Sequence, residues 1–115
     1  MTSRINIEGN AMTESEFIKL TEAAFIRIEN GFDNCTTDVD YIFDGQVLEL
    51  EFENGSKIII NRHTLNQEIW LAAKSGGYHY SFSNGQWLSK RDGSELFSKL
   101  QELVRLGNGD EIQFL

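Results

Sequence analysis

Apolar and polar positions change rhythm along this chain. Residues 1 to 11 show no periodicity and read as a flexible leader, which leaves a single domain over 12–115. Phe17, Leu20, Ala24 and Ile28 then recur at i, i+3 and i+4, the spacing of a buried helical stripe. Thr13-Glu14-Ser15-Glu16 matches a capping box with Thr13 as N-cap, and Met12 just before it is a plausible start. Asn30-Gly31 reads as the stop, so the helix is expected to end near Gly31. At ~100° per residue, Glu22, Glu29 and Asp33 gather on a flank away from the stripe, with Asp33 at or past the helix end.

From Asp38 the period becomes two. Val39, Tyr41 and Phe43 alternate with Asp38, Asp40 and Asp44, as in a half-buried strand with the apolar set inward. Asp44-Gly45 marks a turn, after which Leu48, Leu50 and Phe52 face in while Glu49, Glu51 and Glu53 face out. Asn54-Gly55 is the strongest hairpin signal in the chain. Lys57 to Arg62 follows as a third strand. Glu68 to Lys74 places Ile69, Leu71 and Ala73 on one face and Trp70, Ala72 and Lys74 on the other. Gly76-Gly77 breaks the pattern before Tyr78, Tyr80 and Phe82 alternate with His79 and Ser81. Asn84-Gly85 turns into a short strand carrying Trp87. Asp92-Gly93-Ser94 is expected to cap a second helix with Phe97, Leu100 and Val104 on its inner face, ended by Gly107 and Gly109. In the tail, Ile112, Phe114 and Leu115 are candidates to dock on the core.

Tight turns make neighbouring strands antiparallel, and single-faced alternation means that one sheet face is covered while the other meets water. The expected fold is α+β: a two-layer sandwich in which N- and C-terminal helices cover one face of an antiparallel sheet of about six strands.

Composition narrows the function. The chain has 115 residues, with 18 Asp+Glu against 10 Lys+Arg and a formal charge of −8. Such a domain repels phosphate backbones, so nucleic acid is not an expected partner. No apolar run is long enough to span a membrane, and the opening residues do not form a secretory signal. One cysteine, Cys35, allows no internal disulfide and no multi-thiolate zinc site, which fits a reducing cytoplasmic setting. The charge is uneven: between Ala11 and Asp44, Glu14, Glu16, Glu22, Glu29, Asp33, Asp38, Asp40 and Asp44 meet only Lys19 and Arg27. Such a patch either stays solvated or attracts cations and basic protein surfaces.

The segment Asn54-Gly55-Ser56-Lys57-Ile58-Ile59-Ile60-Asn61-Arg62, with Ile69-Trp70-Leu71-Ala72-Ala73-Lys74-Ser75-Gly76-Gly77-Tyr78-His79-Tyr80, closely resembles the bacterial frataxin family. The likeness runs from about Thr13 to the C-terminus and implies the same α-β-α sandwich. It also implies a part in iron–sulfur cluster assembly: weak, reversible binding of iron (Fe2+/Fe3+) on an acidic ridge, and docking on the cysteine desulfurase and its scaffold protein. By position the ridge corresponds to Glu14, Glu22, Glu29, Asp33, Asp38 and Asp40, and the partner-binding sheet surface to Asn61 and Trp70. Glu22, Glu29 and Asp33 are expected to serve both. The chain departs from the family pattern at Leu65 (usually proline), His63 (commonly glutamine), Glu68 (usually glutamine) and Ile42 (often an acid).

Carboxylates are hard ligands suited to iron and to other divalent cations. A tight iron site usually adds imidazole, and His63 and His79 lie far along the chain from the ridge, so the metal is expected to be weakly held. Trp70, on the water-facing side, is the candidate protein anchor. Trp87 reads as core or rim, His79 as a surface residue, and Cys35 as non-nucleophilic among acids. The expected role is a monomeric, non-catalytic regulator or adaptor. The alternative is an iron store or ferroxidase-type chaperone, whose usual Glu-x-x-His pairs do not occur in this sequence.

Overall fold

A computed structural model of the chain describes residues 12–36, 38–108 and 110–115. The leader expected over 1–11 and the stop at Gly109 lie outside these. Two helices flank six strands: α1 (Glu14–Asp33), β1 (Val39–Phe43), β2 (Val47–Phe52), β3 (Lys57–His63), β4 (Glu68–Ala73), β5 (Gly76–Ser83), β6 (Gln86–Ser89) and α2 (Leu96–Asn108). The strands pair in sequence order, each antiparallel to the next. Leu48, Leu50, Ile58, Ile60, Ile69, Leu71, Tyr78, Tyr80 and Trp87 are buried with Phe17, Phe25 and Ile28 of α1 and Leu96, Leu100 and Val104 of α2. That is the expected two-layer α+β sandwich. Neither helix is long and apolar enough to cross a membrane.

The capping box forms: the Glu16 amide donates to Thr13 Oγ1 at 3.0 Å, and the Thr13 amide to Glu16 Oε1 at 2.8 Å. The stripe is wider than the spacing indicated. Leu20 is only half-buried, while Phe25, Phe32 and Thr21 join it. Thr21 is tolerated there because its hydroxyl donates to the Ile18 carbonyl at 2.9 Å and accepts from Arg62 Nε at 2.6 Å.

Helix α1 does not stop at Gly31; it runs to Asp33. Gly31 serves packing instead. A Cβ there would lie 2.5 Å from Phe114 Cδ1 and 3.0 Å from the Gln113 carbonyl oxygen, so the bare backbone is where the C-terminal tail crosses the helix. Asn34 makes the actual end, sending both its amide (3.1 Å) and its Nδ2 (2.9 Å) to the Asn30 carbonyl. Overpacking costs ~1–3 kcal/mol against a helix-propensity gain of ~1 kcal/mol. Gly31→Ala is therefore expected to lower stability by up to ~2 kcal/mol, seen as a lower urea midpoint. A raised midpoint would mean that Phe114 yields freely.

Three other expectations are corrected. Gly76 and Gly77 do not interrupt the sheet; they begin β5 opposite Ala73 and Ala72, and Gly76 supplies the positive φ (137°) that follows the Lys74-Ser75 turn. Asp92 does not cap α2. Its carboxylate accepts from the Ser94 amide and hydroxyl, closing a turn, and Glu95 caps the helix by accepting from the Phe97 and Ser98 amides. In the tail, Ile112 and Phe114 are buried, but Leu115 is fully exposed.

Candidate functional site

Two surfaces gather the candidate residues. The first is the edge where α1 meets β1. Glu22, Ile26, Glu29 and Asp33 are spaced by four, three and four residues, so they fall within roughly 60° of one another on α1. The last turn of α1 is tied to β1 by the Tyr41 hydroxyl, which donates to Asp33 Oδ1 at 2.8 Å. Glu29 belongs to the same cluster: partial burial and then the Asp33 carboxylate raise its pKa. Tyr41 is raised too, first by its bond to Asp33 and then by desolvation and the charges of Asp33 and Glu29. Glu22 and Asp33 are exposed and Glu29 is half-buried.

Asp38 and Asp40 are exposed, and strand alternation turns them to the face away from Tyr41. Asp40 there lies opposite Glu51, which in turn pairs with Lys57. Glu49 of the same face holds Lys57 at 3.0 Å. The acids therefore flank β1 on both sides. Glu14 does not join them. It sits in the first turn, roughly 28 Å along the helix from Asp33 and about 80° round from Glu22.

The ridge is not uniformly polar, since Ile26 is 56% and Ile42 72% exposed. Ile42 stands between Asp40 and Asp44 in sequence. Among the described residues no three or more His, Cys, Asp or Glu side chains converge as a metal cage. Cations can meet this edge only through one or two carboxylates and retained water, which implies weak binding.

The second surface is the open face of the sheet. Register aligns Val47, Asn61, Trp70 and His79 across β2 to β5, and His63, Glu68 and Ser81 in the next row. Trp70 lies on that face but is not bare. His63 stacks on one side of its ring (centroids 3.8 Å, 10°) and His79 on the other (4.3 Å, 7°). Its Nε1–H donates to Glu68 Oε1 at 2.8 Å, and His79 Nδ1 lies 3.8 Å from the same oxygen. The expectation of an exposed indole is thus corrected to a half-buried one, clamped between imidazoles. The reason is cross-strand packing: the neighbours come from three strands, and alternation along one strand cannot reveal them.

His63, Glu68 and His79 belong to β3, β4 and β5, so no spacing within one strand brings the three together. The signal is register: in the β3–β4 hairpin, pairing Asn61 with Trp70 puts His63 opposite Glu68. Cys35 is half-buried, with its Sγ 3.2 Å from the Phe32 carbonyl, and takes no part in either surface.

A family model described as a frataxin-like domain matches residues 10–108. The iron–sulfur cluster assembly protein CyaY of Neisseria meningitidis serogroup B is 48% identical over 102 residues, 89% of this chain and 95% of that one. The CyaY protein of Chromobacterium violaceum is 48% identical over 103 residues, 90% of this chain and 98% of its own. Among solved structures, frataxin from Psychromonas ingrahamii superposes with a TM-score of 0.86 at 36% identity, covering 90% of this chain and 99% of its own. A trimeric frataxin from the yeast Saccharomyces cerevisiae, complexed with ferrous iron, gives a TM-score of 0.54 at 25% identity over 93% of each chain.

Proposed function

Because the chain belongs to the frataxin family, we propose that it serves iron–sulfur cluster assembly as a non-catalytic regulator or adaptor. In this reading it docks on the cysteine desulfurase and scaffold protein through the α1–β1 edge and the open sheet face, and it binds iron weakly at the edge. The observation that carries it is the Asp33–Tyr41 bond, which locks the acidic flank of α1 beside the acid-bearing strand β1. Scattered surface acids would mainly keep the protein soluble. Acids held on both sides of one strand form a directional field that steers a basic surface. Glu22, Glu29, Asp33, Asp38 and Asp40 supply that field, Trp70 and Asn61 supply a contact face beside it, and Glu14 stands apart.

The relatives named CyaY are described as iron–sulfur cluster assembly proteins, and the yeast frataxin was solved with ferrous iron; both support the reading. Hard oxygen donors without a closed cage fit reversible loading of Fe2+, Fe3+ or other divalent cations. Cytoplasmic location and a monomeric state belong to the same proposal.

The test is a pull-down on purified desulfurase, with and without Fe2+, beside an Fe2+ titration followed on backbone amides. Capture should weaken as salt rises through the physiological range, because exposed charges are then screened within ~10 Å. Amides of Glu29 to Asp33 and Asp38 to Asp40 should shift or broaden before those of Glu95 or Glu102. Salt-independent capture, or shifts spread evenly over all acids, would overturn the reading. O2 consumption should stay at the buffer rate when Fe2+ is added; a faster rate abolished by Glu29→Gln would assign the ferroxidase alternative instead.

A further inference from the structure

The two edges of the sheet differ. At β6, Leu88 bridges to Glu95, so part of that edge is closed. At β1 the edge is open. The Asp44 amide donates to the Val47 carbonyl at 3.2 Å, which sets the phase of the β1–β2 ladder. With the register Ile42↔Glu49 and Asp40↔Glu51, antiparallel alternation turns the even-numbered residues of β1 toward β2. It turns the N–H and C=O groups of Val39, Tyr41 and Phe43 outward. Among the described residues no donor or acceptor meets those groups. Three consecutive outward positions form a template for one more strand.

What lies beside the template selects its occupant. On the helix side an incoming strand meets Glu29 and Asp33, with Ile26 exposed on the same flank; on the open face it meets Asp38, Asp40 and Ile42. A second copy of this chain is disfavoured, because pairing β1 with β1 would bring aspartates against aspartates. We propose that the β1 edge captures an extended segment of a partner protein that carries lysine or arginine with aliphatic residues between them, adding it to the sheet as a seventh strand. The main-chain bonds hold the segment, the acids of the flank that its basic residues face select its charge, and the exposed isoleucine of the opposite flank, Ile26 or Ile42, takes its apolar residues. The proposal rests on the reading of this edge as a docking surface for a basic partner and specifies how the partner binds.

A short capped peptide of alternating arginine and valine serves as the probe, beside a version N-methylated at every amide. The two have the same charge and side chains, but only the first can donate main-chain hydrogen bonds. The unmodified peptide should bind in a salt-sensitive way and slow hydrogen exchange at the Val39, Tyr41 and Phe43 amides. The methylated one should bind at least about tenfold more weakly. Equal affinity would overturn strand addition while leaving a side-chain-only basic partner on the ridge. Binding by neither peptide would also overturn it, and a desulfurase pull-down that still succeeded would show that the broader reading survives. A salt-resistant dimer in sedimentation would give the edge to a second copy and overturn the proposal too.

Discussion

Phe114→Ala is expected to remove ~3–5 kcal/mol of stability, as truncation of a buried aromatic does. The ring packs edge-on against Phe32 at 5.8 Å and tilted against Phe97 at 5.7 Å, so it is shared by both helices. Its backbone is held as well: Arg27 donates to the Phe114 carbonyl through Nε (3.3 Å) and Nη2 (3.0 Å) while its guanidinium lies 3.9 Å from the Phe97 ring centroid. Gln101 fixes the same tail at the Ile112 carbonyl, 2.9 Å away. Domains are typically stable by only ~5–15 kcal/mol, so the loss is a large fraction of the total and should lower Tm by ~10–20 °C. Leu115→Ala, at the fully exposed neighbour, should change stability by no more than ~0.5 kcal/mol. Urea melts of the two variants check this. Equal midpoints would mean that the tail does not pack in solution.

The second large effect concerns binding. Trp70→Ala is expected to weaken capture of the desulfurase complex by ~30-fold or more, the ~2 kcal/mol of an interface hot spot. The fold should survive, because the indole stands on the open face rather than in the core. The cost to stability is the loss of two stacked imidazole contacts, each worth ~0.5–1.5 kcal/mol. Trp70→Phe separates the roles. It keeps a ring between His63 and His79 but deprives the nearly buried Glu68 carboxylate of its Nε1–H donor. Affinity for Trp70→Ala equal to the wild type in isothermal titration would remove Trp70 from the docking surface.

Much of this architecture is legible without coordinates because each strand is polar on one face only. Leu48, Leu50 and Phe52 against Glu49, Glu51 and Glu53 leave one way to lay β2 on a core, and Asn54-Gly55 permits one turn into β3. The flank of Glu22, Glu29 and Asp33 follows from helical spacing alone. What misleads is glycine and aspartate chemistry that serves two ends. Gly31 looks like a stop but makes room for a residue far along the chain. Gly76 and Gly77 look like a break but give β5 its first pairs. Asp92 looks like a helix cap but closes the turn before one. The clamp on Trp70 escapes linear reading for a related reason: its parts come from β3, β4 and β5, and only the register brings them together. The ridge was legible as a composition; the Tyr41 strut that ties Asp33 to β1 was not, since the alternation showed only an inward tyrosine.

The simple up-and-down order of the strands bears on how the molecule assembles. Each strand has to find only its predecessor, so the sheet forms by closing short hairpins at little loop entropy. The most distant closure is the crossing of tail and first helix, where Arg27 and Phe114 are separated by 87 positions. If that crossing is added after the hairpins, substitutions at the crossing quicken unfolding far more than they slow refolding. The lifetime of the native molecule is then governed by its last few residues.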